Sequence, residues 1–346
     1  MKEIFSIGEE TTEYNVGNGI AEVAISEMEK TVYITSSTIR NKFSGILDLP
    51  DERTIMVEDG ENAKSFETYE SIISTLLGMD IQRDHTLCYI GGGTLGDISG
   101  FVASTYLRGI ELVAIPTTLL SMIDSSIGGK NGINVSGKKN MAGTFRNPHT
   151  IFADIMFIEN QEDLVKNGLP EAIKHGMILK AKLIEKLEKF SMDRLMYSAN
   201  LEEFILENAR IKSDVCNTDP FDMKKFRNIL NFGHTVGHGI EAASGWLVSH
   251  GEAVMSGMIL EALTTQNMGL TDPEVPQRLL NLSERYGINI ERTKNFYEKI
   301  MEYIKFDKKM SGNRIFLPVI RDVGVSEVME MDFKKFMDAL ESILEK

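Results

Sequence analysis

The chain has 346 residues, 42% of them hydrophobic and 25% charged, with a formal net charge of -14. This balance is that of a soluble globular protein rather than a disordered one, the length suits two domains, and the acidity argues against a nucleic-acid partner. Two cysteines without CxxC spacing exclude a disulfide framework. The N-terminus has no apolar run of signal-peptide length and no stretch of about 18 apolar residues occurs, so a cytoplasmic protein without a membrane partner is expected.

In chain order, residues 31–37 (TVYITSS) and 53–59 (RTIMVED) read as apolar, β-branched strands. From Thr68, Ile72, Ile73, Leu76 and Leu77 share one helical stripe. Residues 85–97 (HTLCYIGGGTLGD) form a short buried-strand pattern running into glycines, ISGFVASTYLRG follows as a helix, and 111–118 (ELVAIPTT) is another strand. This alternation predicts a parallel sheet in an open α/β domain over residues 1–158. Residues 119–150, rich in Gly, Ser and Asn, are too long for a connector and read as a functional loop. From Glu159 onward strand-like runs nearly vanish and long amphipathic stretches follow, so residues 159–346 are predicted to be a helical second domain. Residues 314–320 (RIFLPVI) are one late strand candidate that fits a small hairpin.

Three loops fall where strands should end: Gly91 to Asp97, Thr117-Thr118, and Gly128-Gly129-Lys130. In the first, small residues let backbone amides approach a pyrophosphate at a helix N-terminus, although the pattern is a weak fingerprint by itself. Asp59 and Glu61 offer carboxylates for ribose hydroxyls just upstream. Lys130, Lys138, Lys139, Asn140 and Arg146 make a local basic island that the acidic total conceals.

Residues 227–252 (RNILNFGHTVGHGIEAASGWLVSHGE) hold three of the six histidines, His234, His238 and His250. A spacing of four puts the first two on one helical face, and a Gly-Trp turn could fold His250 back beside them. Asn231 and Arg227 would share that face on a continuous helix, adding an amide and a guanidinium. Histidines with one carboxylate and an open position make a catalytic divalent site. In GLPEAIKHG, Pro170 suits a helix's first turn, followed by Glu171 and Lys174. Glu171 is then either dipole complementation or a third metal ligand.

Taken together, GGGTLGDISGFVASTYLRG, PTTLLSMIDSSIGGKNGIN, GKKNMAGTF, GLPEAIKHG, RNILNFGHTVGHGIE and HGEAV resemble the 3-dehydroquinate synthases, members of the sugar phosphate cyclases, over Glu58 to about Leu317. The resemblance implies a Rossmann-like N-terminal domain, an all-helical C-terminal domain and a homodimer. It also implies an NAD- and divalent-metal-dependent lyase of the shikimate pathway, using zinc or cobalt. The reaction would turn 3-deoxy-D-arabino-heptulosonate 7-phosphate (DAHP) into 3-dehydroquinate and phosphate through transient oxidation at C5, phosphate elimination, re-reduction, ring opening and aldol closure.

Residue by residue, the resemblance makes Glu171, His234 and His250 the metal ligands. It assigns NAD contacts to Asp59, Glu61, Lys64, Gly93, Thr94, Leu95, Gly96, Asp97, Thr117, Thr118, Lys130, Lys139, and Phe157, Ile158, Glu159 and Asn160. It assigns the substrate to Asp124, Lys130, Asn140, Lys174, Lys212, Arg227, Asn231, His238 and Lys308 or Lys309, with Arg108 reaching the partner subunit's site. His238, near Asn231, is the expected proton handler. His175 stands where the family often has Tyr and is read as a packing residue. Rival readings are another sugar phosphate cyclase, such as 2-deoxy-scyllo-inosose synthase, a metal-dependent polyol dehydrogenase, and a non-catalytic NAD-binding regulator.

Overall fold

The structure is a computed structural model that describes residues 1–308 and 313–345, with the side chains of 305–308 left aside. The chain forms two units, Met1–Leu164 with Met196–Phe221, and Val165–Leu195 with Asp222–Lys346. Among the described residues no helix is long and apolar enough to cross a membrane.

The first unit is built on a sheet. In chain order its strands are β1 (Lys2–Ile7), β2 (Glu10–Gly17), β3 (Thr31–Thr35), β4 (Thr54–Met56), β5 (Thr86–Gly91), β6 (Glu111–Pro116), β7 (Lys130–Val135), β8 (Lys138–Phe145) and β9 (Thr150–Asp154). Seven of them form one sheet in the order β1-β2-β9-β6-β5-β3-β4, antiparallel only at β1–β2. Complete burial of β3, and of β5 beyond its first residue, explains why their sequences are continuous apolar runs without alternation. Helices α1 (Ile20–Glu27), α2 (Ser37–Lys42), α3 (Phe66–Gly78) and α4 (Gly93–Thr105) lie between the strands. The chain leaves β3 toward β4 on one side and leaves β5 toward β6 on the other. The neighbouring ends of β3 and β5 are therefore the switch point where open α/β sheets bind ligands. The Gly-rich turn into α4 sits there.

The predicted loop 119–150 instead contains the β7–β8 hairpin. Its tip, Ser136-Gly137, has φ of 52° and 75°, the double left-handed turn that matches strand twist. The β1–β2 hairpin and β9 were equally hidden, because β1, exposed at the sheet's edge, alternates only weakly.

Four helices follow: α5 (Glu162–Leu179), α6 (Ala181–Lys189), α7 (Met192–Met196) and α8 (Ser198–Thr218). The last returns to the first unit, where Arg210 pairs with Glu3 at the sheet edge and Asn217 Oδ1 accepts the Gly8 amide at 3.2 Å. A single cut in the chain cannot reproduce this division.

The second unit adds α9 (His234–Ala243), α10 (His250–Asn267), α11 (Glu274–Arg285), α12 (Glu291–Lys294), α13 (Tyr297–Lys308) and α14 (Phe333–Leu344). The late strand candidate is β10 (Arg314–Asp322), paired with β11 (Val325–Asp332) in a hairpin, so this unit is mostly rather than wholly helical. Val236, Ile240, Leu260, Ile300, Leu317 and Phe336 anchor its core.

Three close approaches set the geometry of this unit. A Cβ on Gly257 of α10 would lie 2.0 Å from the Gly233 carbonyl oxygen, and one on Gly237 would lie 3.1 Å from Ala253 O. A Cβ on Gly251 would lie 2.5 Å from Asn167 O of α5. Glycine at these points lets α9, α10 and α5 meet backbone to backbone, closer than ordinary helix packing.

Candidate active site

The first residue of α9 is His234 and the first of α10 is His250, and both imidazoles face Glu171 on α5. Glu171 Oε1 stands 3.3 Å from His234 Nε2 and 3.3 Å from His250 Nε2. The three donor atoms lie within 4.8 Å of one another. Ligand bonds of about 2.0–2.1 Å place tetrahedral donors roughly 3.3 Å apart, so the spacing of the carboxylate from each imidazole suits one divalent ion. The outer contacts also fit. His234 Nδ1 lies 3.2 Å from Phe232 O and His250 Nδ1 lies 3.2 Å from Glu241 Oε1, which turns both Nε2 atoms inward. Lys174 Nζ donates to the other Glu171 oxygen and leaves Oε1 to the imidazoles.

Glu171 is buried and would be costly to ionise alone. Burial pushes its carboxyl up, but Lys174 and His234 outweigh burial and hold it well below the usual carboxylate range. At His250 burial opposes the charge, while Glu171 and Glu241 win and hold the imidazolium up to about 10. Such a cluster, a buried carboxylate faced by two imidazoles, takes up positive charge. His238, exposed on α9, sets its ring edge-on to His234 at 5.3 Å.

In the first unit the turn at Gly92 starts α4 with no side-chain cap, so its first amides remain donors. Lys64, 4% exposed, donates to Asp97 Oδ2 at 2.6 Å and to Asn140 Oδ1, with Glu61 Oε1 at 3.5 Å. Asn134 Nδ2 donates to Glu61 at 3.0 Å. This network ties the short helical turn at Glu61, the Gly-rich helix and the β7–β8 hairpin into one polar rim at the switch point. A free helix N-terminus flanked by hydroxyl-binding carboxylates suits a dinucleotide. Separately, Lys212 Nζ on α8 donates to Asp124 Oδ1 at 2.6 Å.

Burial pushes the Asp97 carboxyl up to about 6, against the pull of Lys64. A carboxyl raised on folding stabilises the fold while protonated, and that stability is lost as pH rises from the unfolded value of 3.8 through the folded one. Asp97→Asn should therefore gain on the parent protein between about pH 4 and pH 6, by about 3 kcal/mol, and run parallel above that. Urea midpoints of both proteins across this range check it; a constant difference would refute the assignment.

Residues 54–166 match the family profile described as 3-dehydroquinate synthase N-terminal, and residues 168–310 match that described as 3-dehydroquinate synthase C-terminal. The 3-dehydroquinate synthase of Thermoplasma volcanium is 36% identical over 340 residues, covering 96% of this chain and 93% of that protein. The enzyme of that name from Picrophilus torridus is 40% identical over 271 residues, 78% of each chain. The chain belongs to the 3-dehydroquinate synthase family. Its fold is also that of a 2-deoxy-scyllo-inosose synthase solved with carbaglucose-6-phosphate, NAD+ and Co2+, at 23% identity and TM-score 0.84 over 99% of this chain and 100% of that one. A 2-epi-5-epi-valiolone synthase from Streptomyces hygroscopicus, solved with NAD+ and Zn2+, gives TM-score 0.85 at 22% identity over 99% of each chain.

Two expectations from local spacing fail. Arg227 and Asn231 are not on the helix of His234: they lie on a 3-10 segment, Phe226–Asn231, and Gly233 at φ 81° separates it from α9. Pro170 does not open a helix; α5 begins at Glu162 and carries Pro170 inside it. Asn140, expected on substrate, accepts from Lys64 Nζ in the polar rim. Phe157 and Ile158 bury their side chains, Phe157 edge-on to Phe43 at 4.9 Å, so only Glu159 and Asn160 of that stretch present side chains outward. Asp59, Lys130 and Lys139 are exposed, Thr117 is buried and Thr118 half-buried beside Ser121. His175 is wholly buried. Arg108 is exposed and follows Leu107 in two successive left-handed residues, φ 48° and 67°. Lys309 and the side chain of Lys308 lie outside the described residues.

Glu241, Glu261 and Asn134 were missed. Glu241 stands seven residues after His234, a helical repeat that does carry a signal; Asn134 and Glu261 have no local one.

Proposed function

We propose that this chain is a 3-dehydroquinate synthase: an NAD- and divalent-metal-dependent lyase that converts DAHP to 3-dehydroquinate and phosphate. The observation that carries the reading is the Glu171–His234–His250 donor set with Lys174 locked onto it, in a chain that matches both family profiles. The first unit would carry NAD and the second the metal. Bound NAD would accept a hydride from the substrate alcohol and return it, while a zinc or cobalt ion on the triad would polarise the alcohol oxygen.

The chain's own groups do the rest. Lys64, Asp97, Glu61, Thr117, Thr118 and the amides of Gly93 to Gly96 hold the dinucleotide. In the second unit Arg227 and Asn231, and in the first Lys212, Asp124 and Lys130, are the groups suited to substrate hydroxyls, carboxylate and phosphate, with guanidinium and ammonium fitted to both anions. Lys174 keeps Glu171 ionised and adds positive charge beside the reacting alcohol. His238 moves the proton: its ring is exposed and adjacent to His234, and an imidazole can both accept and donate one. Arg108, on its exposed turn, reaches into the site of a second copy, which makes a homodimer the working form. The protein works in the cytoplasm.

Incubation with DAHP, catalytic NAD and added zinc or cobalt should release phosphate with no net NADH in the same cuvette. Net NADH without phosphate would move the chain to the polyol dehydrogenases. Turnover of a different sugar phosphate instead of DAHP would place it with another cyclase.

A further inference from the structure

We infer that Glu261 is a positioning residue for the metal centre, fastening the helix of His234 to the helix of His250. It lies on α10, the helix that His250 opens, and its side chain is 0% exposed. Glu261 Oε2 accepts the Gly233 amide at 2.8 Å and Oε1 accepts the Val236 amide at 3.0 Å. These are amides of the first turn of α9, on either side of His234.

A helix of this kind usually caps itself with Ser, Thr, Asp or Asn. Here it cannot. The cap position is Gly233, at φ 81°, where a Cβ would meet Met258 Cγ at 2.4 Å and the Val254 carbonyl at 2.8 Å. No side chain fits, and none of the helix's own residues caps it. The cap is supplied instead by a carboxylate from the neighbouring helix, and its charge complements the positive end of the α9 dipole. A buried carboxylate is retained only where strong donors compensate its desolvation. The placement gives it a consequence beyond capping: one side chain ties the first turn carrying His234 to the helix carrying His250, so it fixes the separation of the two imidazole ligands. Two carboxylates then orient the pair, Glu241 through the His250 ring and Glu261 through the His234 backbone.

This inference rests on the metal-dependent reading above. The test is Glu261→Gln, which keeps the shape but turns an amide donor toward one of the two backbone donors. Cobalt alone is titrated into the metal-stripped parent and variant, following heat and the visible absorption of the bound ion. The expected result is a Co2+ affinity weakened about 10–100-fold, the range for loss of an outer-shell partner, with an altered ligand-field spectrum in a folded protein. Unchanged affinity and spectrum, with only a lower melting temperature, would overturn the role of Glu261 while leaving the metal site intact. A parent protein that binds no cobalt would overturn both readings. Should the variant fail to fold, amide exchange in the parent decides: Gly233 and Val236 must be protected and gain protection on adding cobalt, and exchange at the rate of a frayed end refutes the clamp.

Discussion

His234→Ala should abolish metal retention and, with it, turnover. The two imidazoles and the carboxylate each supply one donor, and Glu171 Oε1 stands equally far, at 3.3 Å, from both Nε2 atoms. Removing one leaves two donors, His250 and the buried Glu171 carboxylate that Lys174 already neutralises in part. Because loss of an outer partner alone costs about 10–100-fold in affinity, loss of a direct ligand should exceed about 100-fold. Equilibrium dialysis of zinc against the parent protein measures it, and excess metal should restore part of the phosphate release. The informative contrast is His238→Ala. Its ring lies 5.3 Å from that of His234 but outside the converging triad, so the variant should keep its metal and lose rate, by about 10²–10⁴-fold if it is the proton handler. Equal metal loss in both variants would mean that the ligand and the proton handler have been confused.

Gly257→Ala should be among the most damaging single-methyl changes in the chain. The added carbon would sit 2.0 Å from Gly233 O, 2.8 Å from Gly237 N and 3.0 Å from Gly233 C, all backbone atoms that no rotamer can move aside. Helices α9 and α10 must separate, and overpacking of this kind costs about 1–3 kcal/mol and occasionally more, here at the upper end. A loss of about 3 kcal/mol corresponds to a melting temperature lower by roughly 6–12 °C for a unit of this size. The separation also pulls His234 from His250, so zinc affinity should fall together with stability. Gly78→Ala is the control. Nothing lies within 4 Å of its would-be Cβ at the end of α3, and alanine there should be neutral or stabilising by up to about 1 kcal/mol. A Gly257→Ala protein that melts and binds zinc like the parent would remove the argument that close helix contact builds the site.

The strands β3, β5 and β6 were legible because burial on both faces forces continuous apolar, β-branched runs, and the glycines after β5 marked the turn at the switch point. The β7–β8 hairpin was not, since its outward residues include Lys138, Lys139 and Asn140 and its Gly132 and Gly143 pair face to face, leaving no alternation to read. Helix α8 looked like part of the second, helical half because amphipathic periodicity records that a helix has an apolar face but not which surface covers it.

The site divides in the same way. Local sequence determined the donor types and, through the four-residue and seven-residue spacings, that His234, His238 and Glu241 would lie along one helix. It did not reveal the break after Asn231: spacing alone put Arg227 and Asn231 on the helix of His234, and the left-handed Gly233 separates them. Composition and motif order sufficed for the fold class and for the family. What only the tertiary structure decided is the meeting of three helix segments far apart in the chain: Glu171 with His234 and His250, Lys174 on Glu171, Glu241 on His250, and Glu261 on the first turn of α9. No local periodicity encodes these contacts, because they depend on how closely two backbones approach, and that distance is set by glycines on one helix and carbonyls on another.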